Sequence, residues 1–166
     1  MQLDIVIQEI LQREGDAIIR DLQSAMVSTG ANASGRTSAS LLNDVSSSGI
    51  SRATMLITGG EGWKFVEQGR GATKKNQNGV LLPIIKQWIK DKGISIPQGF
   101  TLDSFAFVVT RKIHKQGTNL WISQTRRDIY SSVINEERIN SITSQVTKSF
   151  IANATSDVVQ ALKNKL

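Results

Sequence analysis

The sequence predicts an α+β fold. It is read as a single domain, in which a small antiparallel β-sheet is packed by a long N-terminal helix, central helices and a long C-terminal helix. Three observations predict this. Apolar residues recur at helical spacing at both ends, over residues 3–28 and 126–166. Between them lie two short β-rich runs, 43–50 and 52–58, joined through Gly49. Further helical patterns follow the strand pair instead of alternating with strands, the order of an α+β chain rather than of a parallel sheet. At 166 residues the chain can build a real core. No internal repeat, low-complexity tract or separate linker divides it, and segment 126–166 is a candidate inter-subunit arm.

Leu3, Ile7, Ile10, Leu11, Ile18, Leu22, Ala25 and Met26 form the stripe of the first helix, which should end near Thr29-Gly30. Gly15 weakens its middle by about 1 kcal/mol relative to Ala and is a candidate bend. Residues 31–37 are small and polar, and Thr37 or Ser38 is placed to cap a short turn through Leu41-Leu42. The hairpin follows.

The stretch from Gly59 to Gly93 organises the rest, with two of the three Trp, seven of the thirteen Gly and one of the two Pro. It opens on an aromatic turn, Gly62-Trp63-Lys64-Phe65-Val66-Glu67. A polar loop comes next, Gly69 to Gly79, with too little apolar area to offset its ordering entropy; it should be mobile until a neighbour orders it. Then comes a helix opened by Pro83, whose Ile84, Ile85, Trp88 and Ile89 share a face and which Gly93 ends in a left-handed conformation.

Thr101 starts the next helix, with Asp103 in its first turn and Phe105, Val108, Val109 and Ile113 as its stripe. Arg111, Lys112 and Lys115 occupy its last turns and Gly117 terminates it. Residues 118–122 read as a loop or short strand carrying Trp121, which serves either as a core plug or as an interface anchor. Residues 126–166 read as helix, broken near Asn135. Their stripe runs Ile129, Val133, Ile139, Ile142, Val146, Phe150, Ala154, Val158, Leu162 and Leu166. A helix of about 28 residues is about 42 Å long. One small domain does not cover that length, so it packs antiparallel on the first helix or meets a neighbouring subunit.

Composition excludes several chemistries. With no Cys there are no disulfides or thiolate metal sites. The single His114 leaves little for a zinc site or a Ser-His-Asp triad, and suits a helix-end cation better than a catalyst. No apolar run reaches the ~18–20 residues of a membrane span. The N-terminus lacks the basic n-region of a signal peptide, so a cytoplasm, or a particle assembled there, is the expected location. Gly69-Arg70-Gly71 followed by Lys74-Lys75 lacks the spacing of a phosphate-binding loop. Glu136 and Glu137 are adjacent and point different ways on a helix. Glu67 is the one carboxylate in a distinctive setting, suited to accepting backbone N–H groups or pairing a Lys or Arg across a subunit boundary. The chain is therefore expected to be no enzyme and to need neither cofactor nor metal.

The net charge of +6 is uneven. Residues 63–127 carry 12 basic and 3 acidic side chains, against 4 and 7 before them and 4 and 4 after. Such a block attracts phosphates or an acidic partner, or serves as a solvated face.

One resemblance covers roughly residues 1–122. The turn Phe65-Val66-Glu67-Gln68-Gly69 with its flanking Trp63, the variable loop and the short helix after Pro83 together resemble the neck proteins of tailed bacteriophages, the head–tail connector or tail-completion family. Ser34-Gly35-Arg36-Thr37-Ser38-Ala39-Ser40-Leu41 upstream is similar to that family's small-Gly-basic segment. Phe105 to Thr118, with Arg111-Lys112-Ile113 and Gly117-Thr118, is similar to its downstream helix. Gln68 departs from the pattern, which often has an aromatic there. The resemblance implies a structural virion protein, a ring between portal and tail with genomic DNA passing through its lumen. Its partners would be copies of itself, the portal and other neck or tail ring proteins, and no membrane. Trp63, Phe65, Glu67, Arg70, Lys74, Lys75 and Trp121 are the expected contact residues; Arg70, Lys74, Lys75, Lys112 and Lys115 are the candidates to face DNA. The alternative is a free basic DNA- or RNA-binding protein, although no helix-turn-helix or RNP motif is present.

Overall fold

The computed structural model describes residues 2–47, 52–73 and 79–164, without the side chains of Gln2 and Leu3. The fold is α+β, as the sequence predicts. Its elements are α1 (Gln2–Ser28), α2 (Arg36–Ala39), β1 (Leu42–Ser47), β2 (Ala53–Thr58), a 3-10 turn (Trp63–Phe65), α3 (Leu81–Asp91), α4 (Leu102–Gln116), α5 (Asn119–Ile122), α6 (Tyr130–Val133) and α7 (Glu136–Lys163). They form two compact units. The first comprises residues 1–24, 41–59 and 130–166, the second residues 25–40 and 60–129.

In the first unit β1 and β2 pair antiparallel, from Leu42 opposite Thr58 to Ser47 opposite Ala53. Two strands alone are marginal in water, so a helix must cover one face. Strand alternation turns Asn43, Val45, Met55 and Ile57 inward and leaves Leu42 and Leu56 exposed. The Asn43 amide donates to the Gln12 carbonyl and the Asp16 carboxylate at 3.1 Å each, which ties β1 to α1. Gly15 explains how the strand comes so close. Any Cβ there would overlap the Asn43 amide. The glycine is a site of close approach inside a helix that runs uninterrupted through it.

α7 begins where Asn135 caps it, its side chain accepting from the Arg138 N–H at 2.9 Å. It joins α1 through Arg13 and Gln145 (2.5 Å), Gln145 and Glu14 (3.1 Å), and the ion pair of Arg138 with Asp21. The expected continuous stripe does not become a buried one: no residue of α7 is buried. Four-residue spacing overshoots a turn of 3.6 by about 40° at each step, so the stripe winds around the helix. Ile142 and Val146 are half-buried with Gln145, Ser149 and Asn153. Val158, sixteen residues after Ile142, points about 160° away from it and is exposed. Residues 126–129 precede the helical segment instead of belonging to it.

The second unit is built on α3 and α4. Leu81, Ile85 and Ile89 pack on Ala106, with Leu82, Leu102, Phe105, Val109 and Ile113 around them. The small Ala106 lets the helices approach. α3 starts two residues before Pro83, which sits in the first turn, where its missing N–H is not needed. The buried face is therefore Leu81, Ile85 and Ile89, while Ile84 and Trp88, expected beside them, are 52% and 39% exposed. On α4 the buried positions are Ala106 and Thr110, and Val108 faces solvent. Thr101 forms a capping box with Ser104. Gly35, not Thr37 or Ser38, precedes α2, in a left-handed conformation (φ 79°). Residues 118–122, expected as loop or strand, contain the short helix α5.

Candidate functional site

The aromatic turn and the first half of the following loop are bonded to the end of α4 and to α5. Arg70 N–H donates to the Thr118 hydroxyl (3.0 Å) and Thr118 N–H donates back to the Arg70 carbonyl (2.8 Å). Thr73 N–H donates to the His114 carbonyl (2.9 Å), and Arg127 N–H to the Glu67 carbonyl (3.1 Å). Two glycines make this approach attainable. At Gly69 (φ 76°) a Cβ would come within 2.9 Å of the Trp121 nitrogen and 3.0 Å of the Leu120 Cβ. At Gly117 (φ 89°) it would meet the Arg70 carbonyl and the Trp121 ring at 2.8 Å. Gly69 to Thr73 is thus hydrogen-bonded within its own unit, through Arg70 and Thr73. Residues 74–78, with Lys74 and Lys75, lie outside the described residues.

Glu67 is completely buried, and its carboxylate accepts from the Arg126 guanidinium at 2.8 Å. The residue expected to reach a neighbour instead clips two segments of its own chain together. Burial removes it from the surface, so it is no contact for a partner. A carboxylate in such a place is held by charge-assisted hydrogen bonding. The partner, Arg126, was not legible in sequence, since nothing local links positions 59 residues apart.

Trp63 and Phe65 are half-buried. Lys64 Nζ and the Arg70 guanidinium lie 5.2 and 5.6 Å from the centre of the Phe65 ring, a cation–π arrangement. Trp121 is exposed at its edge while its ring covers Gly71 and Gly117. Lys112 and Lys115 stand with Arg111 on the solvent side of α4. The structure thus gathers Phe65, Glu67, Arg70 and Trp121 into one bonded cluster and leaves Lys112 and Lys115 on a separate helix face.

Beside the cluster lies a cleft of about 660 Å³. Its apolar lining includes Leu81, Ile84, Ile85, Trp88, Ile113 and Phe65, and Glu61, Lys64 and Arg70 are among its charged lining residues. At one wall Arg36 pairs with Asp91 at 2.6 Å. A hydrogen bond from Gln87, reinforced by that guanidinium, holds the Asp91 carboxyl below its ordinary pKa. No cluster of metal-ligating side chains occurs among the described residues. No described helix is long and apolar enough to cross a membrane. Charge follows the units: the second carries 13 basic and 5 acidic residues, the first 7 and 9.

Comparison of the chain with protein-family models, with curated proteins and with solved structures finds no match.

Proposed function

We propose that the chain is a structural subunit of a bacteriophage neck, a ring component joining head to tail around the exiting DNA. One observation carries this reading. The segments that resemble the connector family, residues 34–41, 63–69, 83–93 and 105–118, fall in the second unit except for Leu41, although they are spread along the sequence. They also touch: the 63–73 segment bonds to residues 114–127, Arg36 pairs with Asp91, and α3 packs on α4. The resembling segments thus lie together in one compact unit, which supports the reading.

Two further features suit the role. A closed ring needs two different contact faces per subunit, and the apolar far half of α7 offers one uncovered face. The surplus charge of the second unit suits a surface near DNA. The test is loss of the gene product from a phage that encodes it. DNA-filled heads and free tails that fail to join are expected; normal tailed particles would refute the proposal.

The same positive unit favours a second reading, a free DNA-binding protein. On that reading duplex affinity falls with salt at a slope of about −0.9 per phosphate neutralised.

A further inference from the structure

We propose that the two free edges of the hairpin are the halves of a head-to-tail contact: β2 of one copy adds antiparallel to β1 of the next. The proposal deepens the ring reading and rests on it for the closure of the row of copies.

The edges are open. β1 and β2 form a two-stranded sheet, so each strand has one unpaired side. Alternate residues of such a strand turn their N–H and C=O groups outward. Among the described residues, no backbone group of either strand bonds outside the β1–β2 ladder. Natural sheets blunt such edges with Lys, Pro or a bulge. Here the ladder runs without a bulge from Leu42 opposite Thr58 to Ser47 opposite Ala53, neither strand contains Pro, and β2 carries no charge. A strand added to an edge of this kind gains main-chain hydrogen bonds along its length.

The side chains choose the occupant. Leu42 and Leu56 are 65% and 53% exposed on the face turned away from α1, which also carries Asp44, Ser46, Thr54 and Thr58. Antiparallel partners share a face, so the allowed registers differ by steps of two residues. One of them sets Leu42 of one copy opposite Leu56 of the next and Asp44 opposite Thr54, with Arg52 on the diagonal from Asp44. The two exposed leucines then cover each other. Neither Asp44 nor Arg52 has an ion-pair partner among the described residues.

Other pairings do less. β1 on β1 brings Asp44 opposite or diagonal to its own copy in the registers that overlap most. β2 on β2 covers Leu56 and leaves Leu42 and the β1 edge open. A strand of another protein likewise completes one edge only. Pairing β2 with β1 uses both edges of every copy, and because the two differ, the contact propagates from copy to copy and can close into a ring.

The absence of cysteine makes the test clean. Leu42→Cys and Leu56→Cys alter exposed positions and should leave the melting temperature unchanged. Under mild oxidation a mixture of the two purified single variants should give a disulfide-linked dimer that neither gives alone. Adding Thr54→Asp to the Leu56→Cys chain sets a second carboxylate opposite Asp44 and should lower the yield about two- to fivefold. Adding Asp44→Lys to the Leu42→Cys chain should then restore it. No link in the mixture, a link from either variant alone, or a yield indifferent to the charge changes would overturn the proposal. Incorporation of the parent chain into tailed particles is scored separately. Normal incorporation without the link removes the edge contact and keeps the neck reading; a link without incorporation does the reverse.

Discussion

Replacing Gly69 by Ala tests whether the aromatic turn and α5 are one bonded module. Two costs combine there. A left-handed Ala is strained by about 1–2 kcal/mol relative to Gly. The new methyl must also displace the Trp121 backbone nitrogen and the Leu120 Cβ, 2.9 and 3.0 Å from its position, and neither yields by rotating a side chain. Forced overpacking adds about 1–3 kcal/mol. Gly93 is the internal control, since its φ is 61° but nothing lies within 4 Å of a Cβ there. Gly93→Ala should therefore lose only the first cost, and Gly69→Ala about 2–5 kcal/mol in total. For a chain of this size each kcal/mol shifts the melting temperature by about 2–4 °C. Urea and thermal unfolding of both variants provide the readout. Equal destabilisation by the two would mean that Gly69 does not approach α5, and the bonded module would fall with it.

Other expectations follow from the same contacts. Gly15→Ala should fail to stabilise α1 despite a propensity gain of about 1 kcal/mol, because Asn43 must leave Gln12 and Asp16; a rise in melting temperature would contradict this. Trp63→Ala should cost less than the 3–5 kcal/mol of a fully buried aromatic, since Trp63 is only half-buried; unfolding in urea measures it. The lowered pKa of Asp91 means that its contribution is complete above the ordinary Asp value of about 4 and is lost as pH falls through the lowered one. Asp91→Asn should therefore flatten the acid limb of a stability–pH curve below about pH 4 and leave its slope near neutrality unchanged. Changing Arg111, Lys112 and Lys115 together to Gln should flatten the salt dependence of any duplex DNA binding, and an unchanged slope would clear this face of DNA contact.

What the sequence made legible was local. Thr101, Gly30, Gly93 and Gly117 mark helix ends through capping chemistry that acts within a few residues, and each stands within two residues of an observed boundary, while Asn135 was legible only as a break. The hairpin was legible from its alternation. Failures came where neighbours decide. Ile84 and Trp88 are as apolar as Ile85 and Ile89, and only the position of α4 determines which pair is covered. The stripe of α7 looked continuous because spacing by four resembles a helix face over two turns and departs from it over five. At the site, the aromatic turn stood out by composition, but the ladder from Arg70 to Thr118 and the Glu67–Arg126 pair join residues 48 and 59 apart. Gly69 and Gly71 read as loop flexibility, whereas they are the places where Trp121 and its helix come close.

The most direct test of the neck assignment is electron microscopy of assembled particles carrying a labelled copy of this chain. The label should appear in a ring at the head–tail junction, at the same position in every tailed particle. Label absent from purified particles, or distributed over the capsid shell or along the tail, would contradict the assignment.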